Sequence, residues 1–177
     1  MVAFYLLNNF SKKERMFDSA SLADIGFKGF IPLEAMNTKS IPSAPGVYGV
    51  LIPPDSRVAF AQQSRGGRFN GKDPSVPVER LKQEWVDGTD IVYIGKSRDL
   101  RKRIEDLTKF GSGLPVGHWG GRLMWQLDKR IPLSVAWMKT LSPAATETDL
   151  LDEFEARFDQ LPFANLMRGS RKVPTLV

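Results

Sequence analysis

Residues 90–107, DIVYIGKSRDLRKRIEDL, leave the chain few folds: an apolar strand ending in Tyr93-Ile94-Gly95, a short polar turn, then a basic helix. In that helix Leu100, Ile104 and Leu107 recur at i, i+4 and i+7, which sets the face turned toward a sheet. At about 100° per residue, Arg103 lies nearer the centre of that face than Arg101, Lys102, Glu105 or Asp106. A guanidinium aimed inward needs an anionic partner or ligand, because an unpaired buried charge is strongly unfavourable. Its planar fork suits phosphate.

An earlier segment, Pro45-Gly46-Val47-Tyr48-Gly49-Val50, offers a second tyrosine in a similar glycine setting, and Pro42, Pro45 and Gly46 mark the start of a strand over 47–52. A third strand is expected at 133–138, with Val135 and Trp137 on one face. Helices are expected at 19–25, 78–86, 121–129 and 144–158. In the last of these Leu150, Leu151, Phe154 and Phe158 form the apolar face, and Glu147 projects into it, while Asp149, Asp152, Glu153 and Glu155 fall toward its flanks or the far side. A carboxylate on a core-facing stripe is unfavourable unless it meets a metal or a partner charge, although a place in the first turn also suits the helix dipole.

A length of 177 residues with 42% apolar content suits one domain. Residues 1–44 read as an N-terminal extension that packs on the main domain, residues 45–167 as that domain with an insert at 53–89, and residues 168–177 as a basic tail carrying Arg168, Arg171 and Lys172. The absence of cysteine excludes disulfides, thiolate metal sites and a cysteine nucleophile, and fits a cytoplasmic chain. The apolar run at 2–7 is too short to span a bilayer, so no membrane partner is expected. A formal charge of +5 weakly favours polyanions. The insert carries Arg65, Arg68 and Lys72 among glycines around Phe69, and the basic helix adds Arg101 and Lys102. These five are the candidate nucleic-acid contacts. The bland reading of the insert is a solvated loop.

The order Gly46-Val47-Tyr48, Tyr93-Ile94-Gly95, Arg103, a late-helix glutamate and Asn165 resembles the GIY-YIG nuclease family over residues 45–167, with Val47 as an apolar departure from the first tripeptide. The resemblance implies a mixed α/β fold: a small central three-stranded antiparallel sheet flanked by helices. It implies that Tyr48 and Tyr93 line a cleft, one of them orienting or deprotonating water, and that Arg103 is the catalytic arginine. Glu147 would be the ligand of one divalent ion, Mg²⁺ or Mn²⁺, with Glu153 as competitor. Gly46, Gly95 and Asn165 would support the site. Lys96, next to Gly95, would polarise water or hold phosphate. His118, the single histidine, would contact phosphate or act in acid–base chemistry, or else be a hydrogen-bonded loop residue. Leu107 stands where the family often has a second proton-transfer group.

The activity this implies is metal-dependent endonuclease cleavage of DNA phosphodiester bonds. A non-catalytic nucleic-acid-binding module of the same fold and an RNA-directed nuclease are the alternatives. A monomer with one cleft would nick one strand, so double-strand cutting would need pairing of two chains.

Overall fold

The computed structural model describes residues 17–54 and 56–166. The first sixteen residues of the expected extension and the basic tail with Arg168, Arg171 and Lys172 lie outside the described residues.

Four antiparallel strands form one sheet: β1 (Lys28–Pro32), β2 (Gly46–Leu51), β3 (Ile91–Ser97) and β4 (Ser134–Lys139), in the order β1-β4-β2-β3. The sheet therefore has one strand more than the three expected, and that strand comes from the segment read as an extension. Its signature is obscured in the sequence because Gly29 and Phe30 both take left-handed φ values, 103° and 53°, where the pairing with β4 shifts register. Gly29 is also where the Trp137 ring crosses the strand: a Cβ there would lie 2.3 Å from the ring.

Helices cover both faces. On one, α3 (Leu100–Gly111) buries Leu100, Ile104 and Leu107 against Tyr48, Val50, Tyr93, Val135 and Trp137, joined by Leu81 of α2 (Val78–Glu84). On the other, α4 (Pro143–Phe158) buries Leu150, Leu151 and Phe154 against Val47, Leu51, Ile91, Ile94 and Ala136, with Phe17 and Leu22 at its side. Leu22 belongs to α1 (Ser19–Asp24), which opens with a capping box in which Asp18 accepts from Ser21 N at 2.7 Å. Asp99 caps α3 by accepting from Lys102 N at 3.1 Å. Pro143 starts α4, and Asp159 ends it in the left-handed conformation.

The expected helix at 121–129 is instead a 3-10 segment, Trp119–Gln126, kinked at Gly121. The Gly120-Gly121 pair weakens any continuous α-helix there. The insert at 53–89 is tied to this segment rather than loose. Gln126, buried, donates to the carbonyls of Ala61 and Val76 and accepts from Val76 N, and Gly67 N donates to Phe110 O. Among the described residues no helix is long and apolar enough to cross a membrane.

Candidate active site

The two tyrosines reach the same face through a bulge. Tyr48 pairs with Gly95 and Val50 with Tyr93, but Leu51 pairs with Ile91, so Val92 is the extra residue that keeps Tyr93 on the α3 side. Opposite Tyr48, Gly95 makes room for both rings. A Cβ at Gly95 would lie 2.8 Å from Tyr48 Oη and 2.8 Å from Tyr93 Cε1. The ring centres are 5.8 Å apart. Gly46 is equally constrained, since a Cβ there would meet Met138 O at 2.3 Å and Leu100 Cδ1 at 2.6 Å.

Arg103 reaches this pair from α3, as its place near the apolar stripe implies. Its Nε donates to Tyr48 Oη at 3.2 Å and its Nη1 donates to Gly117 O at 2.8 Å. Both acceptors are neutral, and among the described residues no carboxylate pairs with Arg103. Its charge is thus held in place without being cancelled, which is the property of an anion site.

His118, fully buried, lies 2.9 Å from Tyr48 Oη through Nε2. Because Arg103 can only donate to the phenol oxygen, the Tyr48 proton is free to go to His118 Nε2. The network then assigns the ring's own proton to Nδ1, which is buried without a partner. Burial, reinforced by the Arg103 charge, lowers the His118 pKa to about 3, so the ring is neutral at ordinary pH. Burial also raises both phenols above their usual value, with Tyr93 adding to the effect on Tyr48 and Arg103 opposing it in each. The phenols therefore rest as hydrogen-bonding groups and not as phenolate bases.

Glu147 is buried at 7% exposure and forms an ion pair with Lys96 Nζ. Lys96 is the register partner of Val47 and leaves β3 on the α4 side, so this pair sits across the sheet from the Tyr48 cluster. It shares no hydrogen bond with that cluster, but the Glu147 carboxylate acts on Tyr93 and favours the protonated phenol. Among the described residues no three His, Cys, Asp or Glu side chains group as a metal site. One carboxylate still fits a hard ion such as Mg²⁺, which keeps several waters and takes further ligands from substrate phosphates, once Lys96 gives it up. Glu153, the competitor, is more exposed than Glu147.

Asn165 braces the outer edge of β3, accepting from Ile94 N at 2.9 Å and donating to Ile94 O at 2.7 Å. Leu107 is core. The candidate nucleic-acid contacts are scattered. Arg65 stacks 5.0 Å over Trp125 and lies 3.8 Å from Glu34, Arg68 pairs with Asp73, and Arg101 donates to Ile41 O, while Lys72 and Lys102 are exposed. What the sequence reading missed is the backbone of 117–120. Gly117 O holds Arg103, and a Cβ at Gly120 would lie 3.9 Å from Tyr93 Oη. The glycines flanking the lone histidine were the available signal. A cavity of about 480 Å³ lies elsewhere, among Asp18, Ile52, Trp85 and Asp90, away from these groups.

In comparisons with known proteins, no family model, curated protein or solved structure matches the chain.

Proposed function

We propose that the chain is a GIY-YIG-type endonuclease that hydrolyses phosphodiester bonds, with DNA as substrate. The observation that carries this reading is the Arg103 guanidinium, fixed between Tyr48 and Gly117 with its charge uncancelled, beside a second phenol and a neutral histidine. Tyr48 and His118, 70 positions apart in the chain, meet beside Arg103 and Tyr93, while Glu147, which the ordered resemblance also includes, lies across the sheet.

Arg103 would bind a phosphate oxygen and stabilise the charge that grows on the phosphorane, an effect worth on the order of a hundredfold to a thousandfold for one such donor. Tyr93, slightly exposed at 7% where Tyr48 is fully buried, would orient the attacking water. Tyr48 and His118 would hold Arg103 and Tyr93 in position. Glu147, across the sheet from that cluster, would hold one Mg²⁺ or Mn²⁺, which would supply positive charge to the phosphate backbone. Lys96, released from Glu147, would pair with substrate phosphate.

The test is plasmid nicking with and without Mg²⁺ by wild type and Arg103→Ala. Metal-dependent nicking that Arg103→Ala abolishes supports the proposal, and nicking indifferent to Arg103 sinks it. One pair of observations favours the binding-module alternative: Tyr48 is sealed from solvent and Glu147 is engaged by Lys96. Under that reading the chain binds nucleic acid and never cuts it. Competition between DNA and RNA substrates in the same assay decides the sugar.

A further inference from the structure

Beyond His118 the chain carries an aromatic and basic pair that the site described above does not use. The Arg122 guanidinium lies 4.8 Å from the centre of the Trp119 ring. Its one protein hydrogen bond among the described residues is long, Nη1 to Trp119 O at 3.4 Å. No carboxylate of the described residues pairs with it. A guanidinium laid on an indole keeps most of its donors for an outside acceptor, and phosphate suits its fork.

A second arginine lies within electrostatic range. Arg80, in the first turn of α2, belongs to the insert, and its charge adds to burial in lowering the Arg122 pKa. Its nearest acid, Glu84, is 3.7 Å away with both side chains about half exposed, a pairing that offsets little of the charge. The two guanidiniums come from different segments and repel one another, which puts Arg80 within electrostatic range of Arg122.

The Trp119–Arg122 pair adjoins the candidate cleft. Trp119 directly follows His118, which is bonded to Tyr48, and Gly120 stands beside the Tyr93 hydroxyl with its backbone exposed. Flat aromatic and guanidinium surfaces stack readily on bases that are not paired.

We propose that Trp119, Arg122 and Arg80 form a nucleotide subsite beside Tyr93. The two guanidiniums bind the phosphodiester next to the one that is cut, and the Trp119–Arg122 stack takes an unpaired base. The inference rests on the nuclease reading and deepens it: the substrate is a strand with an unpaired nucleotide at the cleavage point, and the insert contributes to holding it.

The experiment is fluorescence anisotropy of the full chain with labelled single-stranded and duplex oligonucleotides, without added metal, over a range of salt. The double variant Arg80→Ala/Arg122→Ala is expected to weaken single-strand binding by about tenfold or more, and to flatten the salt slope by roughly 1.4, the loss of two phosphate contacts. Trp119→Leu should weaken single-strand binding by about fivefold to a hundredfold, with a smaller effect on duplex. Because Trp119 also packs on the core, Trp119→Phe provides an independent readout. Oligonucleotide binding should quench intrinsic fluorescence in wild type and quench it less in this variant. Lys129→Ala, an exposed lysine outside the region, should bind as wild type.

An unchanged Kd and salt slope in the double arginine variant, or equal quenching in Trp119→Phe, overturns the subsite. If these residues prove to bind oligonucleotide while no nicking is ever seen, the nuclease reading fails and the subsite stands. If nicking depends on Arg103 while the arginine variants bind normally, the reverse holds.

Discussion

On the α3 face of the sheet Tyr48, Arg103 and His118 share hydrogen bonds beside Tyr93, whereas on the α4 face one carboxylate meets one ammonium. The first arrangement leaves a net positive charge, because every partner of Arg103 is neutral. The second cancels itself. On the proposed reading, an incoming phosphate would be drawn to the face with the tyrosines. Glu147, on the other face, becomes available to a cation only if something else attracts Lys96. The charge imbalance, more than the presence of any one residue, separates a candidate reaction site from an ion pair that holds a helix to a strand.

The contrast breaks most directly at the guanidinium. Arg103→Ala should lower the rate of metal-dependent plasmid nicking by about a thousandfold, and a variant that still nicks well would show that the charge on the α3 face is not what drives cleavage. Next come changes that leave the charge in place and disturb its setting. Gly95→Ala places a methyl group 2.8 Å from both tyrosines, and should lower unfolding stability in urea by about 1–3 kcal/mol. Tyr48→Phe leaves Arg103 Nε and the buried His118 ring without a partner, with a loss of similar size, about 1–3 kcal/mol. Unchanged urea midpoints in both would mean the rings are loosely held.

A pH titration probes the histidine. The His118 pKa is about 3 in the folded chain and 6.5 as its ordinary value, so the unfolded chain takes up the proton first. Stability from this group is complete above the unfolded pKa and drains away as pH falls from there toward 3, at no more than about 1.4 kcal/mol per pH unit for one proton. Urea midpoints measured from pH 7 down to 4 should show that slope in wild type and lose it in His118→Phe. The smallest effect belongs to the other face. Lys96→Met should destabilise the chain by less than the roughly 3–5 kcal/mol of a fully buried pair, because it strands a buried carboxylate whose partner was partly exposed. Added Mn²⁺ should raise the Tm of this variant more than that of wild type. No differential shift would remove Glu147 as a metal ligand.

Much of this was readable from local pattern. The i, i+4, i+7 stripe of Leu100, Ile104 and Leu107 and the alternation around Val135 set the helix and strand faces, and both Arg103 and Glu147 were placed by where they fall on such a face. What escaped depends on contacts far apart in the chain. β1 forms because Gly29 admits the Trp137 ring, a fit no window of residues 26–33 contains. The partners of Arg103 and Glu147 lie 55 and 51 positions away, and nothing local says that one meets a phenol and the other an ammonium. Nothing local singled out Arg122, because its stacking on Trp119 depends on a 3-10 segment kinked at Gly121.

β3 is an edge strand of the sheet, and its free side would ordinarily present a comb of open amides and carbonyls. Asn165 and Ala164 cap that comb at Ile94 and Val92, a side-chain amide standing in for an absent neighbour. The same two residues that shape the tyrosine strand thus also act as a bumper against chains zipping together edge to edge. A chain cut short before Pro162 would be prone to clump even if every side chain of the cluster remained.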